Sequence, residues 1–204
     1  MLIVGLTGSI GMGKSTLAAH MRARGIPVFD ADAEVHRLYA AEAAPLIEQA
    51  FPGTIANGLV DRKLLSAALA TEPGGFKRLE AIVHPLVRAS QRVFLLAAKS
   101  SGQALAVLEI PLLLETQSDR LVDAVILAST TPELQRLRVL GRPSMTPEKL
   151  DLILARQMPD GEKRGKAHFV VDTGLPLTQT LVNLDRVLAQ LATREGTAFQ
   201  TNWA

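Results

Sequence analysis

One stretch near the start of the chain decides the fold: Gly8-Ser9-Ile10-Gly11-Met12-Gly13-Lys14-Ser15. It matches the pattern G-x-x-x-x-G-K-[S/T] at every constrained position, and it lies between an apolar run and a helical pattern. Glycines at these positions let backbone N–H groups turn toward an anion, and the first turn of the following helix adds partial positive charge. The stretch therefore predicts a phosphate-binding loop that joins a strand to a helix.

The side chains of this loop predict a nucleoside triphosphate with Mg²⁺. We expect Lys14 to bridge the outer phosphates and the Ser15 hydroxyl to ligate Mg²⁺. A dinucleotide-binding loop is disfavoured, because Thr16 stands where its third glycine would be and a lysine is foreign to that loop. No N-K-x-D run is present to recognise guanine, which favours a compact metabolite or nucleotide kinase. The expected nucleotide-binding residues are Gly11, Met12, Gly13, Lys14, Ser15 and Thr16.

Outward from the loop, short apolar runs alternate with longer helical patterns, which is typical of parallel strands joined by crossover helices. Each run is nearly continuous in apolar residues, as expected for a sheet that is covered on both faces. The predicted fold class is α/β, a P-loop NTPase-type five-stranded parallel sheet flanked by helices, with a helical insertion and a helical lid. The predicted strands are Leu2–Thr7, Pro27–Phe29, Ala104–Glu109, Ala124–Ala128 and Phe169–Asp172.

Helix start and stop signals fill the gaps between these strands. They predict a first helix over Lys14–Arg24 that stops at Gly25 and a last helix over Thr178–Thr193. Two more helices are predicted to begin at Pro132, after Thr131, and at Pro147, after Thr146. The polar tail after Gly196 is expected to fray.

The segment from 33 to 102 is too long for a single crossover and is predicted to be a helical insertion without a strand of its own. Its helices are predicted at Pro45–Phe51, at Arg62–Ala70 with Asp61 as the cap, and from Phe76 to Ser100 with a break at His84-Pro85. Such an insertion on an α/β core commonly forms one wall of a substrate cleft.

Composition excludes several classes of protein. The chain has 204 residues, 48% hydrophobic and 21% charged, which excludes disorder and coiled coil and fits one domain with an insertion. Its formal charge of +2 is too small for a nucleic-acid platform, and the absence of Cys excludes disulfides and thiolate sites. The longest apolar stretch, Ala104–Leu114, is interrupted by Glu109 and Pro111 and is shorter than the ~20 residues of a membrane span. We therefore expect a soluble, cytoplasmic protein with no nucleic-acid or membrane partner.

Carboxylates follow two of the predicted strands. Asp30-Ala31-Asp32 ends the second strand, at the sheet edge where α/β proteins bind ligands, so one of these acids could accept a proton from an attacking hydroxyl. Capping of the next helix is the alternative for either acid. Glu109, at the end of the third strand, could hold Mg²⁺ through water or only cap a turn.

Basic residues are concentrated between the fourth and fifth strands, in Gln135-Arg136-Leu137-Arg138, at Arg142 and in Lys163-Arg164. Charged pairs on helices usually form a solvated face. A phosphoryl-transfer enzyme needs mobile cations over its phosphates, however, and a kinase lid lies at this position in the topology.

Together these residues resemble the dephospho-coenzyme A kinase family. The resemblance covers nearly the whole chain, and its more specific parts are the His-Pro and Ile-Pro-Leu-Leu segments. It is carried by Gly5-Leu6-Thr7-Gly8, Asp30-Ala31-Asp32, Asp61-Arg62, Leu79-Glu80, Ile82, His84-Pro85, Ile110-Pro111-Leu112-Leu113, Glu115, Pro132-Glu133, Gln135, Arg138, Arg142, Gln157 and Val171-Asp172 before Gly174.

The resemblance implies transfer of the ATP γ-phosphoryl group to the ribose 3′-hydroxyl of dephospho-coenzyme A, with Mg²⁺. It implies a nucleotide-binding core (1–32, 103–135 and 167–204), a helical substrate domain (33–102) and a lid (136–166). By motif position, Asp32 resembles the general base and Lys14 the phosphate clamp, while Arg138 and Arg142 resemble lid cations. The same set, Asp32, Lys14, Arg142 and Arg138, forms the expected catalytic residues.

Two departures and two alternatives accompany this resemblance. Thr173 stands where an Asn near the adenine is expected, and Glu109 stands where Asp is frequent. His84 is interpreted as a substrate-domain contact or a structural residue. The alternatives are a kinase of another small metabolite or nucleotide and a non-catalytic nucleotide-binding module. The sequence does not determine the oligomeric state.

Overall fold

The structure, a computed structural model, describes all 204 residues and divides them into two compact units, Met1–Phe29 with Leu95–Ala204 and Asp30–Phe94. The strands are β1 (Leu2–Thr7), β2 (Val28–Asp30), β3 (Ile55–Ala56), β4 (Leu59–Val60), β5 (Leu105–Glu109), β6 (Ala124–Ser129) and β7 (Phe169–Asp172). The α-helices are α1 (Lys14–Ala23), α2 (Ala31–Tyr39), α3 (Ala43–Ala50), α4 (Arg62–Thr71), α5 (Gly75–Ser100), α6 (Pro132–Leu140), α7 (Pro147–Leu154), α8 (Asp160–Lys166) and α9 (Leu177–Leu191).

The first unit is built on a five-stranded sheet with the order β2-β5-β1-β6-β7. Strand β1 pairs in parallel with β5 and β6, and β6 pairs in parallel with β7. All six residues of β1 and all six of β6 are buried, because helices cover both faces of the sheet. Each of these side chains must therefore be apolar or have its polar atoms hydrogen-bonded. The predicted parallel α/β fold is confirmed, and β1 is its central strand.

The helix signals of the first unit are also confirmed. Helix α1 begins at Lys14, and Thr131 and Thr146 cap α6 and α7 through hydrogen bonds from the Leu134 and Lys149 amides, both at 3.3 Å. Each cap is followed by a proline in the first turn, where a missing N–H costs no helical hydrogen bond. No helix of the chain is both long and apolar enough to span a bilayer.

The second unit contains a strand pair that the sequence analysis did not predict. Strands β3 and β4 form a short antiparallel hairpin around Asn57-Gly58, both in left-handed backbone conformation (φ 52° and 78°). Asn-Gly is the preferred pair for such a two-residue turn, so this signal was present in the sequence and was missed. The expectation of an insertion without strands was therefore wrong.

The same unit contains its own hydrophobic core, to which α2, α3, α4 and part of α5 contribute. Asp61 caps α4 as predicted, its carboxylate accepting hydrogen bonds from the amides of Lys63 (2.7 Å) and Leu64 (3.1 Å). No bounds were predicted for helix α2, whose start was implied only by the alternative that one of the acids Asp30 and Asp32 caps a following helix.

The predicted helix break at His84-Pro85 was wrong, because α5 continues through both residues. Pro85 removes one helical N–H, but it lies on the exposed face, where water can satisfy the carbonyl left without a partner. Val83, on the opposite side, is buried in the core of the unit, with Leu86 and Val87 packed against that core. Burial of this apolar face outweighs the local preference of a proline to end the helix.

The C-terminal tail is ordered, contrary to the prediction that it frays. The Asp123 carboxylate accepts hydrogen bonds from the amides of Thr197 (2.6 Å), Ala198 (2.8 Å) and Ile3 (2.8 Å). The Trp203 ring is 1% exposed and its Nε1–H donates to the Leu121 carbonyl at 2.9 Å. These partners lie far away in sequence, and the tail also buries the Phe199 side chain, so its order could not be inferred from neighbouring residues.

We expect Trp203→Ala to lower the free energy of unfolding by about 3 to 5 kcal/mol, the usual cost of removing a buried large aromatic side chain. Chemical denaturation would measure it. Gln200→Ala is the matched control, since Gln200 lies in the same turn and is exposed. A tail that contributes nothing would give equal unfolding midpoints for the two variants.

Candidate active site

The loop between β1 and α1 has a backbone that only glycine adopts at two key positions. Gly8 has φ +151°, and a Cβ added to it would lie 2.5 Å from the Ala128 carbonyl oxygen on β6. Gly13 has φ +86° and is the residue before α1, and its Cβ would lie 3.1 Å from Thr173. The glycines are therefore required both by backbone conformation and by close contacts, with β6 at Gly8 and with the residue after β7 at Gly13.

The loop turns amide groups toward the space beyond the sheet. The N–H groups of Gly11, Gly13 and Ser15 donate to no group of the protein, as is expected where a helix N-terminus binds an anion. The Lys14 ammonium donates to the Gly8 carbonyl at 2.7 Å, which holds its charge at the loop. Ser15 and Thr16 are exposed at the start of α1.

Met12 anchors the loop to residues Thr130 and Thr173, which follow strands β6 and β7. Its side chain is 2% exposed, and its sulfur accepts a hydrogen bond from the Thr130 amide at 3.2 Å. The Met12 amide donates to Ser9 within the loop, and the Met12 carbonyl accepts from the Thr173 hydroxyl at 2.9 Å. Met12 thus contributes to the shape of the loop, a role the motif alone does not specify.

Two glutamines hold the loop at Ile10. Gln135 on α6 donates to the Ile10 carbonyl at 2.8 Å, and Gln157, after α7, accepts from the Ile10 amide at 3.1 Å. No role was predicted for either glutamine. The sequence carries no local signal for these contacts, because the partners are 125 and 147 residues apart.

Of the two predicted lid arginines, only Arg138 contacts the loop region in this structure. Its Nη2 donates to the Thr173 carbonyl at 2.6 Å, and its Nη1 donates to the Thr173 hydroxyl at 3.1 Å and approaches the Gly11 carbonyl at 3.5 Å. Arg142 is exposed, and its side chain makes no hydrogen bond or ion pair.

Other cations of the segment are paired with acids. The Lys163 side chain is fully buried and lies 2.8 Å from the Glu115 carboxylate, so Lys163 belongs neither to a solvated face nor to a set of mobile cations. Arg164 forms an ion pair with Asp160 at 3.0 Å, and the Ser129 hydroxyl, at the end of β6, bonds to both.

The acidic motif divides into two roles. The Asp30 carboxylate accepts a hydrogen bond from the Ala33 amide at 2.9 Å and caps α2, as the alternative allowed. Asp32 lies in the first turn of α2 with an exposed side chain. It belongs to the second unit, whereas the phosphate loop belongs to the first. Glu109 is buried at the end of β5, with Arg22 at 3.6 Å.

Comparisons with known proteins agree with this loop and its surroundings. The family model for dephospho-CoA kinase matches residues 2–177. A Rhodopseudomonas palustris protein named dephospho-CoA kinase is 55% identical over 192 residues, which is 94% of this chain and 96% of that one. The chain belongs to the dephospho-CoA kinase family. The family and function predicted from the sequence are thus confirmed.

Solved structures agree with the fold of this dephospho-CoA kinase family member. A Thermus thermophilus protein superposes with a TM-score of 0.79 at 34% identity, covering 93% of this chain and 97% of that one. The dephospho-CoA kinase from Campylobacter jejuni gives a TM-score of 0.70 at 25% identity, covering 93% and 96%.

The loop residues of this dephospho-CoA kinase family member would suit a Mg²⁺ ion held mainly by the phosphates of a nucleotide. No cluster of three or more His, Cys, Asp or Glu side chains could hold a metal ion by itself. Mg²⁺ in phosphoryl-transfer sites is usually bound by substrate phosphates, waters and one or two protein oxygens. The exposed Ser15 hydroxyl beside the open loop amides supplies one such oxygen.

We expect Gly8→Ala to destabilise the fold by about 2 to 4 kcal/mol, through backbone strain and the close contact with Ala128, and to weaken ATP binding. Thermal unfolding and calorimetric ATP titration would measure the two effects. Gly102→Ala is the control, because Gly102 also has positive φ (+74°) but no atom within 4 Å of the added Cβ. Equal effects in both variants would show that the contact with β6 is unimportant.

Proposed function

We propose that this chain transfers the γ-phosphoryl group of ATP to the 3′-hydroxyl of the dephospho-CoA ribose, giving CoA and ADP, the last step of CoA synthesis. The observation that carries this proposal is the open phosphate loop at the end of β1, in a chain that matches the family model over residues 2–177. Its amides, together with Lys14, form a site for a polyanion. Membership of the dephospho-CoA kinase family indicates that the phosphoryl acceptor is dephospho-CoA.

The loop performs the electrostatic part of the reaction. Its N–H groups bind phosphate oxygens without reorganisation, since the backbone is already held in place from behind by Gln135 and Thr173. Lys14 donates to the Gly8 carbonyl at 2.7 Å, and because an ammonium group has three N–H donors it can also bind the β- and γ-phosphates. This arrangement stabilises the charge that moves onto the leaving ADP.

Asp32 acts as the general base. The 3′-hydroxyl proton passes to its carboxylate, the hydroxyl oxygen forms a bond to the γ-phosphorus, and the bond from phosphorus to the bridging oxygen of ADP breaks in line. Support comes from the position of Asp32 in the first turn after β2, where acids reach the ligand-binding edge of a parallel sheet, and from the family resemblance of Asp30-Ala31-Asp32.

Arg138 and Arg142 stabilise the developing negative charge. Arg138 contacts only neutral groups, Thr173 and the Gly11 carbonyl, so no acid of the protein competes with a phosphate for its charge. We propose that closure of a lid within residues 136–166 brings Arg142 to the phosphates and excludes water, which would otherwise attack ATP.

Mg²⁺ would be held by the phosphates and by Ser15, and when bound it neutralises phosphate charge. We also propose residues 33–102 as the CoA-binding segment and residues 1–32, 103–135 and 167–204 as the nucleotide-binding core. A cytoplasmic location stays part of the proposal, and cell fractionation would test it.

We expect Asp32→Asn to lower kcat by about 100- to 10,000-fold, the usual contribution of a general base, and to leave the Kd for ATP within about twofold. A coupled ADP-release assay and ATP titration would measure these values. Asp30→Asn is the matched control, because Asn caps a helix as well as Asp does. Normal turnover by Asp32→Asn would remove this residue from the chemistry.

The acceptor is tested by comparing ADP release with dephospho-CoA, adenosine, AMP and shikimate. We expect only dephospho-CoA to stimulate ADP release strongly, with a 3′-phosphorylated product by mass spectrometry. Stimulation by another acceptor would favour a different metabolite kinase, and ATP binding without turnover on any acceptor would favour a non-catalytic binding module.

A further inference from the structure

Thr173, the residue after β7, joins two parts of the nucleotide site. Its side chain is buried, at 6% exposure, and its hydroxyl lies 2.9 Å from the Met12 carbonyl of the loop and 3.1 Å from Nη1 of Arg138. The Thr173 carbonyl accepts from Nη2 of Arg138 at 2.6 Å. One residue thus contacts the back of the loop and both terminal nitrogens of the arginine.

The chemistry of the groups determines which of them donates and which accepts each hydrogen bond. A guanidinium group only donates hydrogen bonds, so the hydroxyl oxygen must accept from Arg138. The single hydroxyl proton is then available for a carbonyl, and Met12 offers the shorter contact, since the Ser129 carbonyl lies at 3.3 Å. A chain of donors therefore runs from Arg138 through the hydroxyl to the loop carbonyl, and each bond polarises the next.

Packing adds a second constraint. The Thr173 side chain lies so close to Gly13 that a Cβ there would be 3.1 Å from its Cβ and Oγ1 atoms and 3.2 Å from its methyl group. The branched side chain is thus placed against the residue that precedes α1. Asparagine, the residue expected here from the family resemblance, has a planar amide in place of the hydroxyl that contacts Met12 and Arg138, and it has no methyl group to pack against Gly13.

We propose that Thr173 is a positioning residue that sets Arg138 relative to the phosphate loop. This inference rests on the proposed role of Arg138 at the phosphates. Thr173 acts through Arg138 and through Met12, and its own side chain does not touch the substrate. When phosphate binds, the Arg138 guanidinium turns from the Thr173 carbonyl while Nη1 keeps its bond to the hydroxyl.

The first test compares Thr173→Val with Thr173→Ser. Valine keeps the shape of threonine but removes the hydroxyl, so we expect kcat/KM for ATP to fall about tenfold, mainly through kcat. Serine keeps the hydroxyl, and we expect it to stay within about twofold of the parent chain. Equal losses in both variants, or no loss in valine, would overturn the proposal.

The second test separates positioning from general stability. Thr180→Val is the matched control, since Thr180 is 2% exposed and its hydroxyl donates to the carbonyls of Asp172 (3.1 Å) and Leu175 (3.3 Å) and to no atom of the loop or of Arg138. We expect both valine variants to lower the melting temperature similarly, and only Thr173→Val to lower kcat. A loss of kcat in Thr180→Val of the same size would show that stability alone accounts for the effect.

The third test uses a double-mutant cycle with Arg138→Ala. If Thr173 acts through Arg138, the kcat lost on Thr173→Val becomes much smaller when Arg138 is already alanine. Independent, multiplying effects would overturn the inference. Full activity of Arg138→Ala alone would instead overturn the proposed role of Arg138, so the two failures are distinguishable.

Discussion

A loop that presents its amides to an anion must direct many of its carbonyls into the protein, and the nucleotide-binding unit depends on how those carbonyls are satisfied. An unpaired buried carbonyl costs as much as a lost hydrogen bond. Side chains meet this demand at three alternate positions: Lys14 at Gly8, Gln135 at Ile10 and Thr173 at Met12. They come from α1, α6 and the end of β7, so the shape of the loop is maintained by elements spread over most of the first unit.

The sequence predicted those parts of the fold whose cause is local. Strand β1 is a continuous apolar run, and the motif after it requires glycine where the backbone is left-handed, so both were found from neighbouring residues alone. Thr131 and Thr146 were found in the same way, since a cap bonds to an amide three residues on. The Asn57-Gly58 turn was just as local and could have been predicted.

Other features could not be predicted, because their cause lies far away in the chain. The tail after Gly196 was expected to fray, but its ordering comes from burial of Phe199 and Trp203 and from hydrogen bonds to the Asp123 carboxylate and the Leu121 carbonyl, more than 70 residues away. Pro85 shows the opposite case, in which a local signal for a break is outweighed by burial of the neighbouring apolar face of α5. At the site, Thr173 was noticed only as a departure from a family pattern, since its partners are 35 and 161 residues away.

The distribution of charge explains which cations are available to a triphosphate in a chain with a net charge of only +2. Arg136, Lys163 and Arg164 each lie within 3.0 Å of a carboxylate, and so moving them to a phosphate would leave an acid unpaired. For Lys163 the cost is largest, because its side chain is fully buried and its partner would keep a poorly solvated charge. Arg138 can leave a neutral carbonyl at much lower cost, and Arg142 leaves only water. Among the five basic residues of the predicted lid motifs, three are thus held by carboxylates, which supports the proposal that the other two, Arg138 and Arg142, respond to a bound nucleotide.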